Sequence, residues 1–276
     1  MVQEELRPRG PYSLRLTART DVWRAALPGN RAAEAQQCPD GVLVVRASDD
    51  EALAAARFCL ALDDDTAEFH RRFAHDPLLG PSVRTLRGLR VARKPTVPHA
   101  VVKAICGQLI QSGRSREIER AIVRACGEAV PTRDAVGRLS PARLCACGLA
   151  ASRASALTRL TRHVDLEALR TASPERALAL LRRERGIGPW SLGVIALQGL
   201  GRFDVGLVGD LGLVKLLASL RGHWPEPAET AELLAPYGEW QGLASVFLLA
   251  GFKRGLVPGA SMDRARGARR PAGSAA

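Results

Sequence analysis

From Leu180 the chain reads Leu180-Leu181-Arg182-Arg183-Glu184-Arg185-Gly186-Ile187-Gly188-Pro189-Trp190-Ser191, and two carboxylates follow, Asp204 and Asp210. Paired glycines between two helices allow a tight hairpin, and Pro189 suits a first helical position. The backbone N–H groups at the start of the second helix would face outward and form a site for an anion such as phosphate. A plain helix-turn-helix corner, with glycines that only permit close packing, is the alternative. The arginine-rich helix ahead of the turn favours the anion site. Asp210 precedes Leu211-Gly212-Leu213-Val214-Lys215, where it reads as a helix N-cap. A carboxylate there is also the residue type that stabilises developing positive charge, and a helix N-terminus favours its ionised form. Asp204 is its nearest rival.

These residues sit in a 276-residue chain with 40 Lys+Arg against 28 Asp+Glu, a formal net charge of +12. Lysine occurs only at Lys94, Lys103, Lys215 and Lys253, so arginine carries the excess. Its planar fork suits phosphate, although an Ala- and Arg-rich coding bias with solvated arginines also accounts for the number. The six cysteines fit reduced thiols. The only tight pair, Cys145 and Cys147, lacks the second pair or histidine a zinc site needs. No stretch reaches the ~18 apolar residues of a membrane span, and MVQEELRPRG is too charged for a signal peptide. The expectation is a soluble, cytoplasmic protein with no membrane partner. Motifs for P-loop, serine-hydrolase, zinc-protease and dinucleotide-binding chemistry are missing from the sequence.

The elements that must position the site divide in two. Residues 1–85 predict an α+β domain, with strands at Tyr12–Leu16 and Gly41–Val45, a helix from Asp49 to Leu62 opened by acidic residues, and another from Thr66 to Ala74. Residues 86–257 predict a mainly helical domain from i, i+3, i+4 apolar spacing. Its helices are expected at 100–112, 116–127, 141–147, 151–164, 174–185, 190–200, 210–220 and 237–252, and the helix-hairpin-helix lies at about 176–200. Residues 258–276, biased to Gly, Ala, Arg and Pro, predict a disordered basic tail.

Several of these motifs, in order, resemble the helix-hairpin-helix DNA glycosylase superfamily, and within it the bacterial 3-methyladenine DNA glycosylase II family. They are Asp76-Pro77-Leu78, Leu86-Arg87-Gly88-Leu89-Arg90, Ala104-Ile105-Cys106-Gly107-Gln108-Leu109, Gly186 to Ser191, Asp204-Val205 and Gly209-Asp210-Leu211-Gly212-Leu213. The resemblance spans most of the chain. It implies that Asp210 is the catalytic carboxylate and that Asp204 matches a structural aspartate. Gly186, Ile187 and Gly188 would bind the DNA backbone. Gln108 and Leu109 match positions from which a wedge enters the gap left by a flipped base, with helix core as the other reading of Leu109. Trp190 matches a base-pocket aromatic able to attract a cationic purine, with hairpin core as its other reading.

The same resemblance implies a monomeric, monofunctional N-glycosylase of base excision repair. Its partner is double-stranded DNA containing damaged bases, and its reaction is hydrolytic release of an alkylated purine such as 3-methyladenine. Relatives that cut the strand carry lysine at the position of Trp190 and form a Schiff base, so lyase activity is not expected. No cysteine follows Cys147, so their iron–sulfur cluster is not expected either. No cofactor is required beyond a monovalent cation that the hairpin carbonyls of Arg182, Arg185 and Ile187 would hold. Val194, Leu211 and Leu249 stand where the well-known bacterial enzyme is aromatic, Gly206-Leu207 where many relatives have Phe-Pro, and Leu192 where the hairpin carries alanine. These departures leave two alternatives open, a glycosylase for other damaged bases or a catalytically weak DNA-damage-binding protein.

Overall fold

The computed structural model describes residues 1–108 and 112–268. Four strands, β1 (Val2–Leu6), β2 (Val22–Leu27), β3 (Arg31–Gln37) and β4 (Leu43–Ala47), form an antiparallel sheet in the order β1-β4-β3-β2. Alternation sets the register: Ala33 and Ala35 of β3 and Leu43, Val45 and Ala47 of β4 face a small core with Ala52 and Ala56. The β2–β3 turn is Pro28-Gly29-Asn30, and Gly29 and Asn30 both take positive φ (75° and 57°), which these residue types tolerate best.

Helices α1 (Leu14–Ala18) and α2 (Asp50–Cys59) flank the sheet. The expected strand at Tyr12–Leu16 is therefore corrected to the start of α1, because Ser13 caps it by accepting a hydrogen bond from Leu16 N–H. Asp49 caps α2 in the same way, accepting from Ala52 N–H at 2.8 Å.

Thirteen further α-helices follow among the described residues: α3 (Ala67–Phe73), α4 (Gly80–Thr85), α5 (Val97–Gly107), α6 (Ser112–Cys126), α7 (Arg133–Gly137), α8 (Pro141–Ala146), α9 (Ala151–His163), α10 (Pro174–Arg182), α11 (Pro189–Ile195), α12 (Leu211–Arg221), α13 (Thr230–Leu234), α14 (Gln241–Phe252) and α15 (Met262–Gly267). Helices α6, α9 and α11 pack around α5, which is apolar on nearly every side and buries Val97, Ala100, Val101, Val102, Ala104, Ile105 and Cys106. Such a helix belongs at the centre of a core.

Core membership changes between Leu62 and Phe69, so α3 and α4 pack with the helical core although the sequence assigns them to the first domain. Arg90 stitches the two parts together. Its buried guanidinium donates to the carbonyls of Ala61, Leu62, Arg9 and Pro11 and lies 5.1 Å from the Tyr12 ring centre.

The expected disorder is corrected for residues 258–268. Ser261 caps α15, Ser219 Oγ donates to the Ser261 carbonyl at 3.0 Å, and Ala265 and Ala268 are buried. Two small buried residues and two shared hydrogen bonds suffice to dock this short helix on α12. Residues 269–276 lie outside the described residues.

Candidate active site at the hairpin

Ser173 Oγ accepts from Arg176 N–H and starts α10, with Pro174 in its first turn. After α10 a tight turn is closed by Ile187 N–H donating to the Glu184 carbonyl at 3.1 Å. Gly186 sits in this turn at φ 98°, a conformation that favours glycine. Its missing Cβ would approach Ala156 Cβ of α9 to 3.3 Å.

Ile187 is only 8% exposed. Its side chain anchors the hairpin in the core, so any role with a ligand is left to its backbone. Gly186, Gly188, Arg182, Arg183 and Arg185 are exposed on the outer side, giving the turn a basic surface.

Pro189 then opens α11 and puts Trp190 in its first turn. The indole is half-buried and lies across Gly107 at the end of α5, where a Cβ would come 2.5 Å from Trp190 Cη2. Gly107 therefore makes room for the ring. The next residue, Gln108, reaches back: its Nε2 donates to the Gly186 carbonyl at 2.7 Å and to Ser191 Oγ at 2.8 Å. Gln108 thus clamps the hairpin onto α5, a contact the sequence did not suggest. The adjoining wedge position, Leu109, lies outside the described residues.

The chain beyond α11 leads to Asp210. A single π turn, Ala196–Leu200, ends at Gly201 with φ 71°. Arg202 pairs with Asp204, which is thereby occupied in the loop itself. Ser245 Oγ and Thr230 Oγ1 accept from Leu207 N–H and Gly209 N–H at 3.1 and 2.7 Å and fix the loop against α14 and α13.

Asp210 caps α12, its Oδ1 accepting from Gly212 N–H at 2.8 Å, while its Oδ2 accepts from Trp190 Nε1–H at 2.9 Å. The cap role and the meeting with Trp190 coexist in one side chain. Asp210 is half-buried, and Leu211 beside it is 57% exposed, one of few large apolar side chains left to solvent among the described residues. Leu249 packs over the cap, 2.4 Å from where a Cβ on Gly212 would be.

Val194 and Leu192 are buried at 5% and 4%. Leu192, which stands where the resemblance implies an alanine, is accommodated inside the core. The aromatic residues instead gather around Phe69, with Phe73, Trp240 and Phe247 in ring contact and Phe203 stacked on Trp240.

Of the three carbonyls expected to hold a monovalent cation, that of Arg185 already has a donor. Arg159 of α9 donates from Nη2 to the Arg185 carbonyl at 3.1 Å and from Nε to Glu184 Oε1 at 2.6 Å. One of the three oxygens is thus taken by a positive group, which repels a second cation. Among the described residues no group of His, Cys, Asp and Glu could hold a metal ion, and no helix is long and apolar enough to cross a membrane.

No family model matches the chain. It is 26% identical over 205 residues to a DNA-3-methyladenine glycosylase of Bacillus subtilis, covering 68% of this chain and 67% of that protein. It superposes on the 3-methyladenine DNA glycosylase of Archaeoglobus fulgidus with a TM-score of 0.77 at 19% identity, covering 92% of this chain and 99% of the other. The chain resembles the helix-hairpin-helix DNA glycosylases in both sequence and fold. An 8-oxoguanine glycosylase/lyase of Clostridium acetobutylicum, bound to double-stranded DNA, gives a TM-score of 0.73 at 17% identity over 93% of this chain and 99% of its own. Glycosylases named for different bases thus share this architecture.

Proposed function

We propose that the chain is a DNA glycosylase of base excision repair that takes a flipped, alkylated purine such as 3-methyladenine or 7-methylguanine and hydrolyses its N-glycosyl bond. The observation that carries this reading is the Trp190–Asp210 pair, an electron-rich ring bonded to a half-buried carboxylate beside an exposed basic hairpin.

A purine alkylated on the ring is cationic and leaves readily. The C1′–N bond breaks with its electron pair going to the base, which neutralises the base's charge, and positive charge develops on the sugar. Asp210 opposes that charge, and water then bonds to C1′ and gives up its proton to the carboxylate or to solvent. One carboxylate suffices because the leaving group needs no protonation. Trp190 offers its ring to the cationic base and its N–H to the carboxylate. Gly186, Gly188 and the backbone of Ile187 engage the phosphates of double-stranded DNA, with the exposed arginines as a wider footprint. Leu109 is the proposed wedge, and Gln108 the clamp behind it.

Trp190 cannot form a Schiff base, which supports a monofunctional enzyme. The test is incubation with methylated duplex DNA, with released bases separated by chromatography. Release of 3-methyladenine by the wild type and its loss in Asp210→Asn are expected. Binding without release, unchanged by that substitution, would make the chain a damage-binding protein. Release from an 8-oxoguanine duplex alone would move it to the other class of base.

A further inference from the structure

We propose that the guanidinium of Arg159 takes the place of a bound cation in the hairpin, so that the turn presents its own fixed positive charge to a DNA phosphate. The inference rests on the hairpin being the element that meets the DNA backbone.

Helix α9 lies against the turn, with Ala156 beneath Gly186 at the 3.3 Å approach described above. Arg159 follows three residues later, on the same side of the helix. Two of its three nitrogens are committed: Nε to Glu184 Oε1 at 2.6 Å and Nη2 to the Arg185 carbonyl at 3.1 Å. The carboxylate and carbonyl belong to neighbouring residues of the turn, so they hold the fork across it. Nη1 takes part in neither bond, and the side chain is 42% exposed, enough for an approaching phosphate to share it. Glu184, only 15% exposed, fixes the plane of the fork. A guanidinium seated this way supplies what a small cation would supply at a carbonyl-lined turn, a positive charge whose position is set before DNA arrives. It differs in being covalently tethered, so its presence does not vary with the salt.

The prediction is read by fluorescence anisotropy on a 20-base-pair duplex carrying a tetrahydrofuran abasic-site analogue. Sodium, potassium and tetramethylammonium chloride are compared at matched ionic strength. Wild-type affinity should agree within about twofold across the three salts. Arg159→Gln should bind about tenfold more weakly at low salt, with the slope of log affinity against log salt shallower by about 1, the signature of one lost phosphate contact. Arg159→Lys, which keeps the charge, should keep the wild-type slope, and circular dichroism verifies that both variants are folded.

A fivefold or greater loss of wild-type affinity in tetramethylammonium would overturn the proposal, as would an unchanged slope in Arg159→Gln or a slope equally shallow in Arg159→Lys. Failure of base release from methylated DNA would instead count against the glycosylase reading and leave these binding outcomes standing.

Discussion

Trp190 and Asp210 lock one another: the indole N–H donates to Oδ2 over 2.9 Å while Oδ1 is held by Gly212 N–H over 2.8 Å. Neither carboxylate oxygen is free to rotate without breaking a bond. Asparagine at 210 can accept with only one atom, so whichever way its amide turns, either the indole or the cap loses its acceptor. Asp210→Asn should therefore lower the rate of base release by at least about 100-fold, as removal of one electrostatic stabiliser typically does. It should also cost about 1 kcal/mol of stability from the lost hydrogen bond. Single-turnover kinetics and thermal melting measure the two effects separately. Full activity in Asp210→Asn would remove Asp210 from the chemistry.

The indole itself is held by an absence. A Cβ on Gly107 would stand 2.5 Å from Trp190 Cη2, closer than side-chain carbons come, so Gly107→Ala must displace the ring from the carboxylate. The helix would gain from alanine in propensity, which makes the substitution discriminating: activity should fall about tenfold or more while melting temperature changes by only a few degrees. Quenching of Trp190 fluorescence by acrylamide should rise if the ring is expelled, and unchanged quenching with unchanged activity would count against the packing argument.

The glycine and tryptophan were both legible in the sequence as motif residues, but their mutual contact was not. Gly107 and Trp190 lie far apart in the chain, and only the packing of α5 against α11 turns a glycine into a site determinant. Gln108 was read as part of a wedge; its amide also bonds to Gly186 and Ser191, a contact that has no distinct sequence pattern. The helices at 151–164 and 174–185 emerged close to their observed bounds because their apolar spacing is regular. By contrast β2 and β3 were missed, since Arg24, Glu34 and a run of alanines hide the alternation. The Pro28-Gly29-Asn30 turn was the available signal. The helix at Met262–Gly267 was missed for a related reason, because Ala265 and Ala268 bury too little surface to mark a docked helix by composition.

A buried ion cluster behind the site makes a pH prediction. Glu119 receives Lys94 Nζ at 2.7 Å, lies 3.2 Å from His99 Nε2 and 3.4 Å from Lys103 Nζ. Burial alone would raise its carboxyl, but the His99 hydrogen bond and the charges of Lys94 and Lys103 outweigh that and hold it down at about 2. A group lowered on folding stabilises the protein above its unfolded value, 4.5 here, and loses that contribution as pH falls toward about 2. The contribution is about 3 kcal/mol. Urea melts of the wild type should therefore lose stability across this acid window, and Glu119→Gln should be less stable at pH 7 with a flatter profile below pH 5. Parallel profiles for the two proteins would show that the cluster does not govern acid unfolding. His99, whose ring burial pushes down, adds a loss of the same sign as it is forced to protonate.

The hairpin clamp can be separated from the chemistry. Gln108→Leu removes both donations, to Gly186 and to Ser191, while leaving the Trp190–Asp210 bond and the basic surface in place. If the clamp's task is to hold the turn at a fixed distance from the carboxylate, a phosphate bound on the turn and a sugar at Asp210 fall out of register when it is cut. The rate of release from a bound complex should then drop about tenfold, while binding of undamaged duplex stays within about twofold of wild type. Ser191→Ala removes only one of the two acceptors and should fall between. A Gln108→Leu variant that loses duplex binding to the same extent as base release would instead assign Gln108 to DNA contact, since register matters only once both ends of the nucleotide are held.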